Sequence, residues 1–126
     1  MKLEGKKYER RLARHLRGIW GPNLVYGPWI EFIDAGGRGW AQPDFLVHVK
    51  GAVLVLESKL SECLDAELQL RGLYGPLVSE LYPQSRLVLC QVFRNLRAGS
   101  STALLRSPKD LEGLPPWSLS TWHWVG

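Results

Sequence analysis

The chain has 126 residues, 45% of them hydrophobic, which suits one domain with one core, and a second domain is not expected. No apolar run approaches the ~20 residues of a membrane span, and the opening MKLEGKKYERR is charged where a secretory signal would be apolar, so a soluble, intracellular protein is expected. A formal charge of +4 favours a polyanionic partner. Neither Cys63 nor Cys90 has the spacing of a zinc site, so both read as reduced core or rim thiols.

The first predicted element is a helix over residues 2 to 17. Tyr8, Leu12, Leu16 and Ile19 recur at spacings of four and three, with Lys6, Arg10, Arg14 and Arg17 as a basic stripe beside them. Residues 1 to 17 hold seven basic against two acidic side chains, a balance of +5, so the rest of the chain is near neutral. The stripe is either a solvated helix face or a set of phosphate contacts. Gly18 and Gly21-Pro22 end the helix.

Trp29 to Ile33 reads as a first strand, and Ala35 to Gly39 as a flexible glycine-rich loop carrying Arg38. A hairpin follows, residues 44 to 49 and 52 to 59, with Lys50-Gly51 as its turn. Ser61 is placed to cap a long apolar helix, SECLDAELQLRGLYGPLVSELY, which should kink or break at Gly75-Pro76 because proline lacks a donor and crowds the preceding turn. Residues 86 to 93, RLVLCQVF, are apolar on both faces and come after a crossover, as a buried parallel strand would. The tail suggests a helical turn near Thr102 to Arg106, a break at Pro115-Pro116 and an edge strand over 118 to 125. The expected unit is a single domain over 1–126, with its core at about 2–95 and an appendage at about 96–126.

The hairpin carries the chemistry. A two-residue loop at 50 and 51 pairs 49 with 52 and, continuing outwards, 44 with 57, so Asp44 should lie opposite Glu57 with Cβ atoms roughly 4.5 to 5.5 Å apart. Glu57 and Lys59, two apart on a strand, share a face, whereas Glu4 and Lys6, two apart on a helix, do not. Opposed carboxylates at the ends of apolar strands are costly unless a cation compensates, and oxygen ligands alone favour Mg²⁺ or Mn²⁺. A surface Asp-Glu-Lys network is the alternative.

Pro43-Asp44, twelve intervening residues and Glu57-Ser58-Lys59 resemble the signature of the PD-(D/E)xK nuclease superfamily, and the element order agrees from residue 2 to about residue 93. The resemblance implies an α/β restriction-endonuclease-like core, ordered helix, three strands, helix, strand, with a mixed sheet and helices on both faces. It implies Mg²⁺-dependent hydrolysis of DNA phosphodiesters, with Mn²⁺ able to substitute and no organic cofactor. Asp44, Glu57 and the Ser58 carbonyl would hold the metal, and Lys59 would position or activate water. Glu9, beside the buried helix face, is the candidate for the family's helix-borne glutamate, with an ordinary salt-bridging role as its alternative. Lys6, Arg10, Arg14, Arg17 and Arg38 would meet the DNA backbone, and symmetric cleavage would require a homodimer.

KKYERRLARHL followed by the glycine-rich loop resembles archaeal-type Holliday junction resolvases. ESKLSECLDAELQLRGLY resembles the RecB and Cas4 group, where Gln69 would open a Gln-xxx-Tyr motif, although Tyr74 stands five residues on rather than four. A non-catalytic nucleic-acid-binding protein on the same fold is the third reading. His48 lies too far along its strand from Asp44 for the site, and His15 and His123 lack a nucleophile to activate. Trp117, Trp122 and Trp124 would pack the tail on the core or stack on bases, and Arg94, Asn95 and Arg97 follow the last core strand.

Overall fold

The structure, a computed structural model, describes residues 2–96, 103–104 and 114–126. Helix α1 (Lys2–Trp20) is amphipathic as expected: Tyr8, Leu12, Ala13, Leu16 and Trp20 are buried. It runs past Gly18 because Trp20, with its ring in the core, anchors one more turn. A short 3-10 turn, Gly21–Asn23, then feeds β1 (Leu24–Tyr26).

β2 (Ile30–Asp34) and β3 (Gly37–Ala41) form a separate two-stranded sheet. This corrects two expectations. The strand expected at Trp29 to Ile33 belongs to this arm rather than the main sheet, and the glycine-rich segment is largely strand, with Arg38 opposite Ile33. The reversal is fixed locally: the Asp34 side chain accepts the Gly36 amide at 2.8 Å, and Gly37 takes a φ of 106° that side chains resist.

The strand that the sequence reading missed is β1. It pairs antiparallel with β4 (Phe45–Val49), which pairs antiparallel with β5 (Ala52–Ser61) in the expected register, Val49 to Ala52 and Phe45 to Leu56. Gly51 turns that hairpin at φ 74°. β6 (Arg86–Asn95) adds parallel to β5, with Glu57 beside Gln91. β8 (Leu119–His123) then pairs parallel with β6, and β7 (Ala103–Leu104) lies outside it, giving the order β1-β4-β5-β6-β8-β7. The closing segment is therefore an inner strand, not an edge. The helical turn expected near Thr102 to Arg106 is strand at Ala103 and Leu104; its other residues, like Arg97, lie outside the described residues.

Between β5 and β6 the chain forms α2 (Leu64–Gln69), a π turn (Leu70–Tyr74) and α3 (Gly75–Leu81). Ser61 does not cap this helix, since it is the last residue of β5, and Cys63 occupies the cap position without a side-chain hydrogen bond. The break expected at Gly75-Pro76 is instead a π turn, in which the Gly75 amide reaches the Leu70 carbonyl. Only glycine permits this closeness: a Cβ at residue 75 would lie 2.6 Å from that carbonyl oxygen.

The mixed α/β sheet is covered on both faces. Phe45, Val47, Leu54, Leu56, Val88, Cys90 and Val92 pack under α1, with Leu24 and Trp122. Their alternates Leu46, Val53, Val55, Leu87 and Leu89 pack against Leu70, Tyr74 and Val78, and the inner residues Ile30 and Ala41 of the β2–β3 arm join this second cluster. Strands buried on both faces explain the unbroken apolar runs. Two of the three tail tryptophans pack: Trp122 is buried, Trp124 stacks on His15, and the Tyr8 hydroxyl donates to the Trp124 carbonyl at 2.6 Å, whereas Trp117 is exposed. Among the described residues no helix is long and apolar enough to cross a membrane.

Candidate active site

The start of β4, the second half of β5 and the first turns of α1 converge at one end of the sheet. There a cavity of about 580 Å³ is lined by Lys2, Lys6, Glu9, Asp44, Glu57, Ser58 and Lys59, among others. The structure thus brings together Asp44, Glu57, Ser58 and Lys59 of the hairpin with Glu9 of the first helix, more than thirty residues away in sequence.

Continuing the hairpin register one pair beyond Phe45 and Leu56 sets Asp44 against Glu57. The contact is more specific than side chain facing side chain. The Asp44 amide donates to Glu57 Oε1 at 2.8 Å, and Asp44 Oδ2 accepts both the Ser58 amide at 2.8 Å and the Ser58 hydroxyl at 2.9 Å. Ser58 therefore orients Asp44 through two donors, a role the sequence reading, which used only its carbonyl, did not assign.

Glu9 is 7% exposed. Its Oε2 accepts the Lys6 ammonium and the Tyr26 hydroxyl, each at 3.0 Å, and its carboxyl shares a hydrogen bond with Asp44. Tyr26 ends β1 opposite Phe45, on whose ring it stacks at 5.1 Å. Sequence reasoning missed Tyr26 because it missed β1; the tyrosine three residues before Trp29 gave no other signal. Lys6 is held by Glu9 at the edge of this site rather than standing with the open arginines of its stripe.

The electrostatics show a local shortage of positive charge. Burial, the Glu57 carboxylate and the hydrogen bond to Glu9 push Asp44 up to about 8, against the opposing pull of the Ser58 amide. Burial pushes Glu57 up to about 7, despite the Asp44 amide and the Lys59 ammonium. Burial also opposes charge on Glu9, but hydrogen bonds from Asp44, Lys6 and Tyr26 overcome it and hold Glu9 below the usual carboxylate range. The hydrogen bond between the two carboxyls thus favours the protonated form of Asp44 and the ionised form of Glu9. The Tyr74 hydroxyl is raised to about 12 by burial and by the fields of Glu57 and Asp44.

Asp44, Glu57 and Glu9 are the side chains here that could hold a metal, and their all-oxygen chemistry fits a hard divalent cation. Among the described residues no three His, Cys, Asp or Glu side chains stand as a group that could hold a metal ion, so these carboxylates would have to draw together to bind one. The carboxylates are instead satisfied by Ser58, Lys6, Tyr26 and each other. The fit lies in donor type and in the charge deficit.

The other candidates lie elsewhere. Arg10 and Arg14, with Lys7, Arg11 and Arg94, line a second, basic groove along α1, where Glu4 meets Arg94 at 3.4 Å. Arg17 is exposed further along the helix. Arg38, on the β2–β3 arm, pairs with Glu31 at 3.4 Å. Gln69 ends α2 outside the carboxylate cavity, with its side-chain oxygen buried and unpartnered. His48 meets Tyr82 edge-on at 5.0 Å, away from the site. No family model, curated protein or solved structure matches the chain.

Proposed function

We propose that the chain is a metal-dependent DNA nuclease of the restriction-endonuclease-like type, with Asp44, Glu57, Lys59 and Glu9 as its working residues. The observation that carries this reading is the pair of a buried Glu57 and a half-buried Asp44 at a strand end, with both carboxyls pushed up towards neutrality while Lys59 stands beside them. Such carboxylates cost stability, so a site that keeps them is built for a charged guest. Leaving aside the β2–β3 arm, the order α1, β1, β4, β5, helix, β6 is the helix, three antiparallel strands, helix, parallel strand that the motif implies.

In this reading a Mg²⁺ or Mn²⁺ ion supplies Lewis-acid charge at the scissile phosphate. Asp44, Glu57, Glu9 and the Ser58 carbonyl would hold it. Ser58 fixes the Asp44 carboxylate through two donors, and Tyr26 and Lys6 fix Glu9, so the oxygens are oriented before any guest arrives. Lys59 places positive charge where water attacks and phosphate charge grows. Arg10, Arg14 and Arg17 on α1 would carry the DNA backbone, and a homodimer would be needed to cut two strands together.

A branched-DNA endonuclease is the form first expected from the basic helix. One structural observation favours the RecB-like form, acting on ends or single strands. Gln69 and Tyr74 are five apart, about 140° around a regular helix, but the intervening π turn absorbs the extra residue and returns Tyr74 towards the Gln69 side. The two readings separate on labelled four-way junction, linear duplex and single strand, each with Mg²⁺, Ca²⁺ or EDTA. Paired nicks at the junction support the first and end-directed loss the second. Binding without cleavage, unchanged by Glu57→Ala, supports the non-catalytic alternative and contradicts both.

A further inference from the structure

The β2–β3 arm has two unlike faces. Its inner residues Ile30, Phe32 and Ala41 pack on the core, and the Phe32 ring lies against Gly39. Its outer side presents Trp29 and Trp40, 64% and 58% exposed, with the rings edge to face at a centroid distance of 6.5 Å. Ile33, 76% exposed, and Arg38 share the outer face with Trp40. Among the described residues nothing covers these indoles.

We propose that this outer face is a nucleobase-stacking platform, with Trp29 and Trp40 as the stacking rings for an unpaired stretch of DNA or RNA beside the carboxylate site. The proposal rests on the nuclease reading for what brings a strand there.

Three features select this occupant. The first is size: the two indoles, 64% and 58% exposed, offer roughly 180–300 Å² between them, well short of the ~800 Å² a stable protein partner needs from each side. That area suits one or two bases. The second is charge. Glu31 and Arg38 pair on the arm, while α1, which meets the arm's base across a cavity lined by Lys6, Glu9, Tyr26, Gly27, Gln42 and Asp44, carries the basic excess along its exposed stripe. Phosphates would be held by the helix and bases by the flat, uncharged indoles.

The third is mechanical coupling. The arm's two ends are tied together and to the site: Gln42 Nε2 donates to the Gly27 carbonyl at 2.9 Å, and the Gly27 amide donates to the Asp44 carbonyl at 2.8 Å. Trp40 stands four residues before Asp44, at most ~13 Å along the chain, a distance of a few nucleotides. A base stacked there fixes which phosphate lies at Asp44. Because every base offers a π face, the platform should show little sequence preference.

The test uses the full chain in EDTA, so that nothing is cut, with a mixed-sequence single strand of a dozen nucleotides and a blunt duplex of the same sequence. Indole fluorescence should be quenched by the single strand. Trp29→Ala and Trp40→Ala should each weaken single-strand binding about 10-fold, leave duplex binding within about twofold and keep the wild-type melting curve. Trp40→Phe should retain most of the affinity. Unchanged single-strand binding in the Trp29→Ala, Trp40→Ala double variant overturns the proposal. So does sedimentation showing a wild-type dimer that Trp40→Ala dissociates, since the face would then be a self-association surface. Quenching and Trp-dependent binding in a wild type that cleaves nothing with Mg²⁺ would uphold the platform and overturn the nuclease reading; cleavage without single-strand binding would do the reverse.

Discussion

Replacing Glu57 with glutamine should stabilise the metal-free chain at alkaline pH while destroying its site. Glu57 is 3% exposed and its carboxyl is raised from 4.5 to about 7, so the folded chain retains a proton there that the unfolded chain releases. The sign follows from linkage. The stability this proton contributes is complete below pH 4.5, falls as pH rises and is lost by about pH 7. Each unit is ~1.4 kcal/mol, so ionising Glu57 in the folded state costs up to about 3 kcal/mol, less whatever Asp44 recovers by keeping its own proton. Glutamine keeps the acceptor for the Asp44 amide and carries no charge. In EDTA, E57Q should therefore match wild type near pH 5 and exceed it at pH 8 by about 1–3 kcal/mol, or about 5–10 °C in melting temperature. Added Mg²⁺ should raise the wild-type melting temperature at pH 8 and leave E57Q nearly unmoved. Thermal unfolding followed by circular dichroism reads all three conditions for both proteins. A variant less stable than wild type at pH 8, or equally offset at both pH values, would refute the view that Glu57 is a strained, charge-deficient ligand.

Three further outcomes follow from the same geometry. Tyr26→Phe removes one of the two protein donors on Glu9 Oε2 and should lower stability by about 1–2 kcal/mol, with a larger proportional loss of Mg²⁺ affinity by calorimetry than a surface control such as Tyr82→Phe. Gly75→Ala must push a Cβ away from the Leu70 carbonyl, 2.6 Å distant, and should cost about 1–3 kcal/mol in urea unfolding. Arg10→Ala with Arg14→Ala should weaken duplex binding across all sequences tested and flatten its dependence on log salt by about one unit for each phosphate that is no longer neutralised.

The hairpin was legible because its signals agree: two unbroken apolar runs, a Lys-Gly turn at one defined place, and a register that follows from the turn. That register alone set Asp44 against Glu57, and the parallel strand at 86–93 could be read from its two apolar faces. The arm was misread because glycines at 36, 37 and 39 suggest a loop, whereas strand pairing there is secured by Phe32 over Gly39 and by packing of Ile30 and Ala41, which no local pattern reveals. β1 is only three residues long, too short for periodicity, and Tyr26 was hidden with it. Glu9 was preferred to Glu4 from its place beside the buried stripe, and the structure puts Glu9 in the carboxylate cluster and Glu4 against Arg94. The π turn could not be foreseen, since Gly75-Pro76 is equally compatible with a break. Whether a helix breaks there or widens depends on Tyr74 and Val78 finding the sheet.

The central claim is that the Asp44, Glu57 and Glu9 carboxylates serve hydrolysis of DNA. Its most direct test is a single-turnover cleavage assay of wild type, E57Q and Lys59→Ala on end-labelled duplex, junction and single-stranded DNA with Mg²⁺ and with EDTA. Wild type should cut at least one substrate with Mg²⁺ and none in EDTA, and each variant should lose about 100-fold or more in rate while still binding DNA. Cleavage that survives in EDTA, or that E57Q and Lys59→Ala retain, would contradict it.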